Sequence, residues 1–222
     1  MSLKNNKIVT IDGPSASGKG SLAKALAKEL NFNLLDSGLL YRAYSYCFNN
    51  SKNHSFAKDL FSHLNIKSIN NEMHVFENGK DITSILRNED VAKSASELRS
   101  FRETRENLIS FQRDLASNQG LVADGRDMGT VVFPDAGTKI FLVADAEERA
   151  KRRFLELQNA GQEVNMRDLI EDIRLRDEAD KVREISPLIP ADDSVEVNSS
   201  NLTPQEVLKI VLEIYKEKIK EV

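Results

Sequence analysis

The chain has 222 residues, 30% charged and 40% hydrophobic, with a formal net charge of −4 at pH 7. This length suits one large domain, or a core with an inserted subdomain, and is enough to bury a real hydrophobic core. The acidic balance argues against a general nucleic-acid binder, and no run of about 18 uninterrupted apolar residues exists to span a membrane.

The N-terminal residues lack the apolar core of a secretory signal. The first predicted strand, Lys7–Asp12, contains the apolar run Ile8-Val-Thr-Ile11. Next come Gly13, Pro14, Ser15, Ala16, Ser17, Gly18, Lys19, Gly20 and Ser21, and then a helical pattern with Leu22, Leu26 and Leu30 spaced by four. A glycine-rich loop between a strand and a helix is the setting of a phosphate-cradling P-loop. Its backbone N–H groups close around phosphate oxygens, and the helix N-terminus adds partial positive charge. Lys19 is placed to reach the outer phosphates. The hydroxyl comes one place late, at Ser21, because Gly20 follows the lysine. The single cysteine, Cys47, sits between Tyr46 and Phe48. It reads as a small buried hydrophobe, and the absence of an internal disulfide fits a reducing cytoplasm.

Further strands are predicted at Asn33–Asp36, Gly120–Asp124, Lys139–Ala144 and Ser194–Asn198. Strands that alternate with helices imply a parallel sheet covered on both faces, with ligands beyond its carboxyl ends. Asp12, Asp36, Asp124 and Asp145 lie at or just past those ends. The interval from about 51 to 100 breaks the rhythm. Asn65–Ile69 and Met73–Glu77 read as two strands around a polar turn, Asn78-Gly79 as a second turn, and Asp81–Glu97 as helix. This is a small α+β insertion. Asp145-Ala-Glu-Glu148 opens a later helix, and Thr203-Pro-Gln-Glu206 is a capping box with proline at the first helical position.

The second half is rich in arginine. Ala123-Asp-Gly-Arg-Asp-Met-Gly-Thr130 places Arg126 and Asp127 at the ligand edge of the third core strand. Arg149, Arg152 and Arg153 fall on one helix; Arg174, Arg176, Asp177, Asp180 and Arg183 fall on another. Any one of these arginines taken alone reads equally well as part of a solvated, salt-bridged face. Beside a P-loop the balance changes, because phosphoryl transfer needs positive charge on donor and acceptor, and guanidinium forks match phosphate oxygens.

These motifs together resemble those of the bacterial cytidylate kinases, within the nucleoside monophosphate kinases. The resemblance rests on the P-loop, Leu35-Asp-Ser-Gly38 with Tyr41-Arg42, the string from Ala123 to Pro134, and Arg176-Asp177 through Arg183. The late hydroxyl at Ser21 matches that family's lysine–glycine–hydroxyl order. The resemblance implies an α/β three-layer P-loop fold with a five-stranded parallel sheet flanked by helices. It also implies a nucleotide-monophosphate-binding insertion at 38–100 and a short lid at 155–166. The implied reaction moves the γ-phosphoryl group of ATP to CMP or dCMP, with Mg²⁺ near Ser21 and Asp36 and Asp124 as outer carboxylates. By the same resemblance Ser37, Arg105 and Asp127 meet cytosine, Arg176 and Asp180 the ribose, and Arg42, Arg126 and Arg183 the acceptor phosphate. Lys19, Arg126 and Arg183 are the implied catalytic residues, with Arg149 and Arg153 as lid-side arginines. For Asp127 a second role, orienting Arg126 through a salt bridge, stays open.

An acceptor phosphate with its second pKa near about 6 is already mostly dianionic at neutral pH, so no general base is needed. None of the three histidines, His54, His63 and His74, is expected to be catalytic. The resemblance implies a cytoplasmic monomer with small-molecule substrates and neither nucleic-acid nor membrane partners. Two other readings compete. One is a kinase of the same fold acting on another monophosphate or metabolite. The other is a GTP-dependent switch, whose Asn-Lys-x-Asp guanine signature is absent.

Overall fold

The computed structural model describes residues 5–116, 119–159, 161 and 163–220. Five parallel strands form the central sheet: β1 (Asn5–Asp12), β2 (Asn33–Asp36), β6 (Leu121–Gly125), β7 (Ala136–Val143) and β8 (Val195–Asn198), in the order β2-β6-β1-β7-β8. Side chains alternate across a strand, so β1 feeds two cores. Val9 and Ile11 pack with Leu22, Leu26, Ile140, Leu142 and Val211, under α1 (Lys19–Leu30) and α9 (Pro204–Lys220). Ile8 joins the opposite core with Leu35, Leu40, Tyr44, Leu108 and Met128, under α2 (Ser37–Ser51) and α6 (Arg102–Asp114). Burial on both faces is what a parallel sheet requires.

The predicted core strands are all present, Asn33–Asp36 with the bounds read and the others with shifted ends. β7 begins at Ala136, ahead of the predicted Lys139, because Ala136 pairs with Asn5, the first residue of β1. Gly137 permits that approach; a Cβ there would stand 2.7 Å from the Asn6 Cα. The capping box forms as read: Thr203 N donates to Glu206 Oε2 at 2.8 Å, and Glu206 N to Thr203 Oγ1 at 3.3 Å.

The insertion folds as α3 (His54–Ser62), an antiparallel sheet of β3 (Asn65–Ile69), β4 (Glu72–Glu77) and β5 (Lys80–Asp81), then α4 (Thr83–Leu86) and α5 (Glu89–Leu98). The single helix expected over Asp81–Glu97 is two. Asn88 is extended (ψ 148°) and its side chain accepts from Asp90 N at 2.8 Å, so it starts a new helix instead of continuing the old one. The three histidines all lie in or beside this insertion. His54 packs on Phe48, and His74 pairs with Asp81.

The Asp127–Phe133 segment forms a π-helical turn, Met128–Val132, that periodicity did not signal. Asp12, at the end of β1, ties it down: its two carboxylate oxygens accept from Met128 N (2.9 Å) and Gly129 N (2.7 Å). Burial pushes the Asp12 carboxyl up to about 7, even though both backbone donors pull it down. Asp12→Ala strands two buried N–H groups and is expected to destabilise the fold by about 2–4 kcal/mol. A carboxyl raised in the folded state gives stability that is present at acid pH and is lost as pH rises through about 7. Urea melts should therefore show a larger penalty for Asp12→Ala at pH 5 than at pH 8; an equal penalty contradicts the assignment.

Candidate active site

The register places Asp12 beside Gly125 and Asp36 beside Asp124, so the polar ends of β1, β2 and β6 meet at one edge of the sheet. The P-loop leaves β1 at that edge. Gly13 has φ 151°, and a Cβ there would stand 2.1 Å from the Leu142 carbonyl oxygen, so no side chain fits. Ala16 and Gly18 are left-handed, with φ 57° and 92°, which turns the loop around the start of α1. Lys19 is buried and its Nζ donates to the Pro14 carbonyl at 2.7 Å. Burial, then the Arg126 guanidinium, pushes its ammonium well below the ordinary lysine range, with Asp124 partly restoring it.

Two arginines of α7 (Ala146–Asn159) hold the loop from behind. Arg149 Nη1 donates to the Ser15 carbonyl (3.0 Å), its Nε to the Ala144 carbonyl (2.8 Å), and it forms a two-point ion pair with Asp177. Arg152 Nη1 donates to the Ser17 carbonyl (3.0 Å) and Nη2 to the Ser199 carbonyl (2.6 Å). Arg149 therefore backs the P-loop. Arg152 shares its task, and the i, i+3 spacing of the two on one helix was the available signal. Arg153 pairs with Glu156 at 3.0 Å, and its charge acts on Arg42 and Arg176. Ala160 and Gln162 of the expected lid lie outside the described residues; Asn165 caps α8 (Met166–Val182).

Across the sheet edge the remaining arginines converge. Asp127 pairs with Arg105 from α6, which also donates to the Tyr41 hydroxyl at 3.3 Å. Arg126 does not pair with Asp127; its Nε donates to Asp180 at 2.9 Å. Arg183 Nη1 stands 3.7 Å from Asp180, just past the end of α8. Arg176, Asp180 and Arg183 share a face at i, i+4 and i+7. Burial pushes the Asp180 carboxyl up, but Arg126, Arg183 and Arg99 outweigh it and hold it below the usual carboxylate range. Arg42 donates to the Leu86 carbonyl (3.3 Å), and Ser37 accepts from Gln112 Nε2 (3.0 Å). Arg99, not singled out by its sequence position, belongs to this group.

Five buried guanidinium nitrogens, Nε and Nη1 of Arg99, Nε of Arg176, and Nε and Nη2 of Arg183, have no hydrogen-bond partner among the described residues. Burial, then repulsion from Arg126, lowers Arg176 and Arg99 to about 10. Because Arg126 and Arg176 also act on Lys19, the P-loop and the arginine cluster are two sides of one site.

Two clefts flank the P-loop. One, of about 380 Å³, is bounded by Ala16, Ser17, Leu22, Arg152, Leu202 and Val207 and is largely apolar. The other, of about 160 Å³, is lined by Ser21, Asp36 and Asp124 among others. Its hydroxyl and two carboxylates are hard oxygen donors of the kind a hydrated divalent cation takes, but Lys24 and Arg87 line the same cleft, and Arg87 Nη2 stands 3.9 Å from Asp36 Oδ2. Burial pushes Asp124 up to about 6, with Lys19 pulling it back.

The family model described as cytidylate kinase matches residues 9–217. A cytidylate kinase of Pseudomonas putida is 44% identical over 209 residues, covering 90% of this chain and 92% of the relative. One of Mannheimia succiniciproducens is 42% identical over 224 residues, covering 98% of this chain and all of the relative. Among solved structures, an uncharacterized protein from Eubacterium ventriosum aligns at TM-score 0.52 and 14% identity over 96% of this chain and 99% of that one, a likeness of fold alone.

Proposed function

Because this chain belongs to the cytidylate kinase family and transfers the γ-phosphoryl group of ATP to CMP or dCMP, giving ADP and CDP or dCDP, we propose that the two facing halves of the site described above divide the reaction between them. The P-loop, Gly13–Ser21, holds the triphosphate, with Lys19 at the transferring group. The apolar cleft beside it takes the base of ATP. The arginine cluster takes the acceptor.

The observation that carries this reading is the set of five buried, unpartnered guanidinium nitrogens. Each unsatisfied buried donor costs about 1–3 kcal/mol, more when charged. Oxygens of the acceptor's phosphate and ribose satisfy them. Arg42, Arg126 and Arg183 then bind the CMP phosphate, Arg176 and Asp180 the ribose, and Ser37, Arg105 and Asp127 the cytosine. Cytosine offers an amino donor that Asp127 accepts; uracil offers a carbonyl oxygen there instead. Asp180 keeps Arg126 aimed at the phosphate. Catalysis is positioning and charge neutralisation, with no general base among the histidines.

ATP use implies a divalent metal, which we assign as Mg²⁺. No group of three or more His, Cys, Asp or Glu side chains placed to hold a metal ion occurs among the described residues. Ser21, Asp36 and Asp124 would hold the ion in the small cleft, where it would supply positive charge to the nucleotide phosphates. The 155–166 segment acts as the lid and 38–100 as the monophosphate-binding insertion. No helix among the described residues is long and apolar enough to cross a membrane. We place the enzyme in the cytoplasm, working on small nucleotides as a monomer without nucleic-acid or membrane partners.

An ADP-release assay across CMP, dCMP, UMP, AMP and no acceptor tests the assignment. CMP and dCMP should exceed AMP by about a hundredfold or more in kcat/KM, the margin expected when buried polar groups read a base. Acceptor-independent hydrolysis, or equal use of AMP, overturns it. ATP binding should also take up protons above neutral pH, because phosphate charge raises the depressed Lys19. Calorimetry in two buffers of different ionisation enthalpy measures that uptake, and identical heats count against Lys19 as the phosphate contact.

A further inference from the structure

We propose that Arg99 is an additional binding residue for the phosphate of CMP, donating from a fixed position between α5 and α2. Arg99 ends α5, with φ −61° and ψ −26°. Its guanidinium lies over the Tyr41 ring, 4.9 Å from the centroid. Its Nη2 lies above the first turn of α2, where a Cβ on Gly38 would stand 3.8 Å away, an ordinary contact. Stacking on Tyr41 fixes the plane of the fork, yet Nε and Nη1 stay buried without a partner among the described residues.

Packing alone does not account for this placement. The charges nearest Arg99 include Arg126 and Arg176, which repel it, while Asp180 attracts it and already accepts from Arg126. A third buried cation beside two others is unfavourable unless an anion joins them. Cytosine and ribose are neutral, so the anion is the acceptor's phosphate. The unpartnered N–H groups at Nε and Nη1 point to different sides of the guanidinium, so one of them meets a phosphate oxygen. This inference rests on the acceptor-site reading above.

The test compares CMP with cytidine, which lacks the phosphate, by competition binding to the full-length protein, with a thermal melt on every variant. Arg99→Gln should weaken CMP by about 10–100-fold, the range for buried charge-assisted hydrogen bonds, and leave cytidine within about twofold. Arg99→Lys keeps the charge without the fork and should lie between the two. Should Arg99→Gln fail to fold, the same comparison applied to Arg99→Lys decides the matter. Equal losses for CMP and cytidine, or no loss for either, overturn the proposal. Arg126→Met separates the two levels. If it too leaves the preference for CMP over cytidine intact, the acceptor site is misassigned; if it removes the preference and Arg99→Gln does not, only the role of Arg99 is wrong.

Discussion

Replacing Lys19 by methionine is expected to lower kcat about a thousandfold while leaving CMP affinity essentially unchanged, the cost of losing one preorganised electrostatic contact to the transition state. Methionine fills nearly the same volume as the lysine stem, so the buried position keeps its packing. What goes is the ammonium, held by the Pro14 carbonyl at 2.7 Å at the mouth of the P-loop. In the proposed assignment, charge on the transferring phosphoryl group develops next to that position, while the acceptor sits against arginines from α2, α6 and α8. The two halves therefore separate in kinetics. Steady-state rates with a parallel CMP titration check this; a variant that keeps more than about a tenth of wild-type kcat removes Lys19 from the transition state.

Asp127→Asn is expected to narrow the preference for CMP over UMP by about a hundredfold, chiefly through loss of CMP turnover, since a read base edge is worth about 1–3 kcal/mol. The carboxylate only accepts, so it suits an amino group and opposes a carbonyl; an amide can turn to suit either. Arg105, buried beside Asp127 and joined to it, then loses its counter-charge. Its second contact, to the Tyr41 hydroxyl at 3.3 Å, keeps it in place. The comparison is kcat/KM for the two acceptors, wild type against variant. An unchanged ratio means that Asp127 serves Arg105 alone and does not read the base.

Much of this architecture is local and therefore legible. The run Ile8–Ile11 followed by glycines at 13 and 18 and a leucine repeat defines strand, loop and helix within one stretch of chain. The Thr203–Glu206 box closes on itself within four residues. The long helix expected over Asp81–Glu97 went wrong for the same kind of reason: Asn88 is both a tolerable helix residue and a strong cap, and its neighbours do not decide which. The π-helical turn was hidden because its anchor, Asp12, lies 116 residues away.

The charged residues divide the same way. The sequence alone determined that a glycine-rich loop joins strand to helix at 13–21, that arginines gather near the ends of the strands, and, through the string around Asp127, which family they match. Only the tertiary structure decided the partners. It joined Arg105 to Asp127 and Arg126 to Asp180, turned Arg149 and Arg152 onto the back of the P-loop, and brought Arg99 into the acceptor cluster. Secondary structure follows from neighbours a few residues apart, whose spacing the chain displays. The energy of a guanidinium depends on which charges and donors surround it after burial, and those come from segments tens of residues apart that meet only when the parallel sheet aligns their ends.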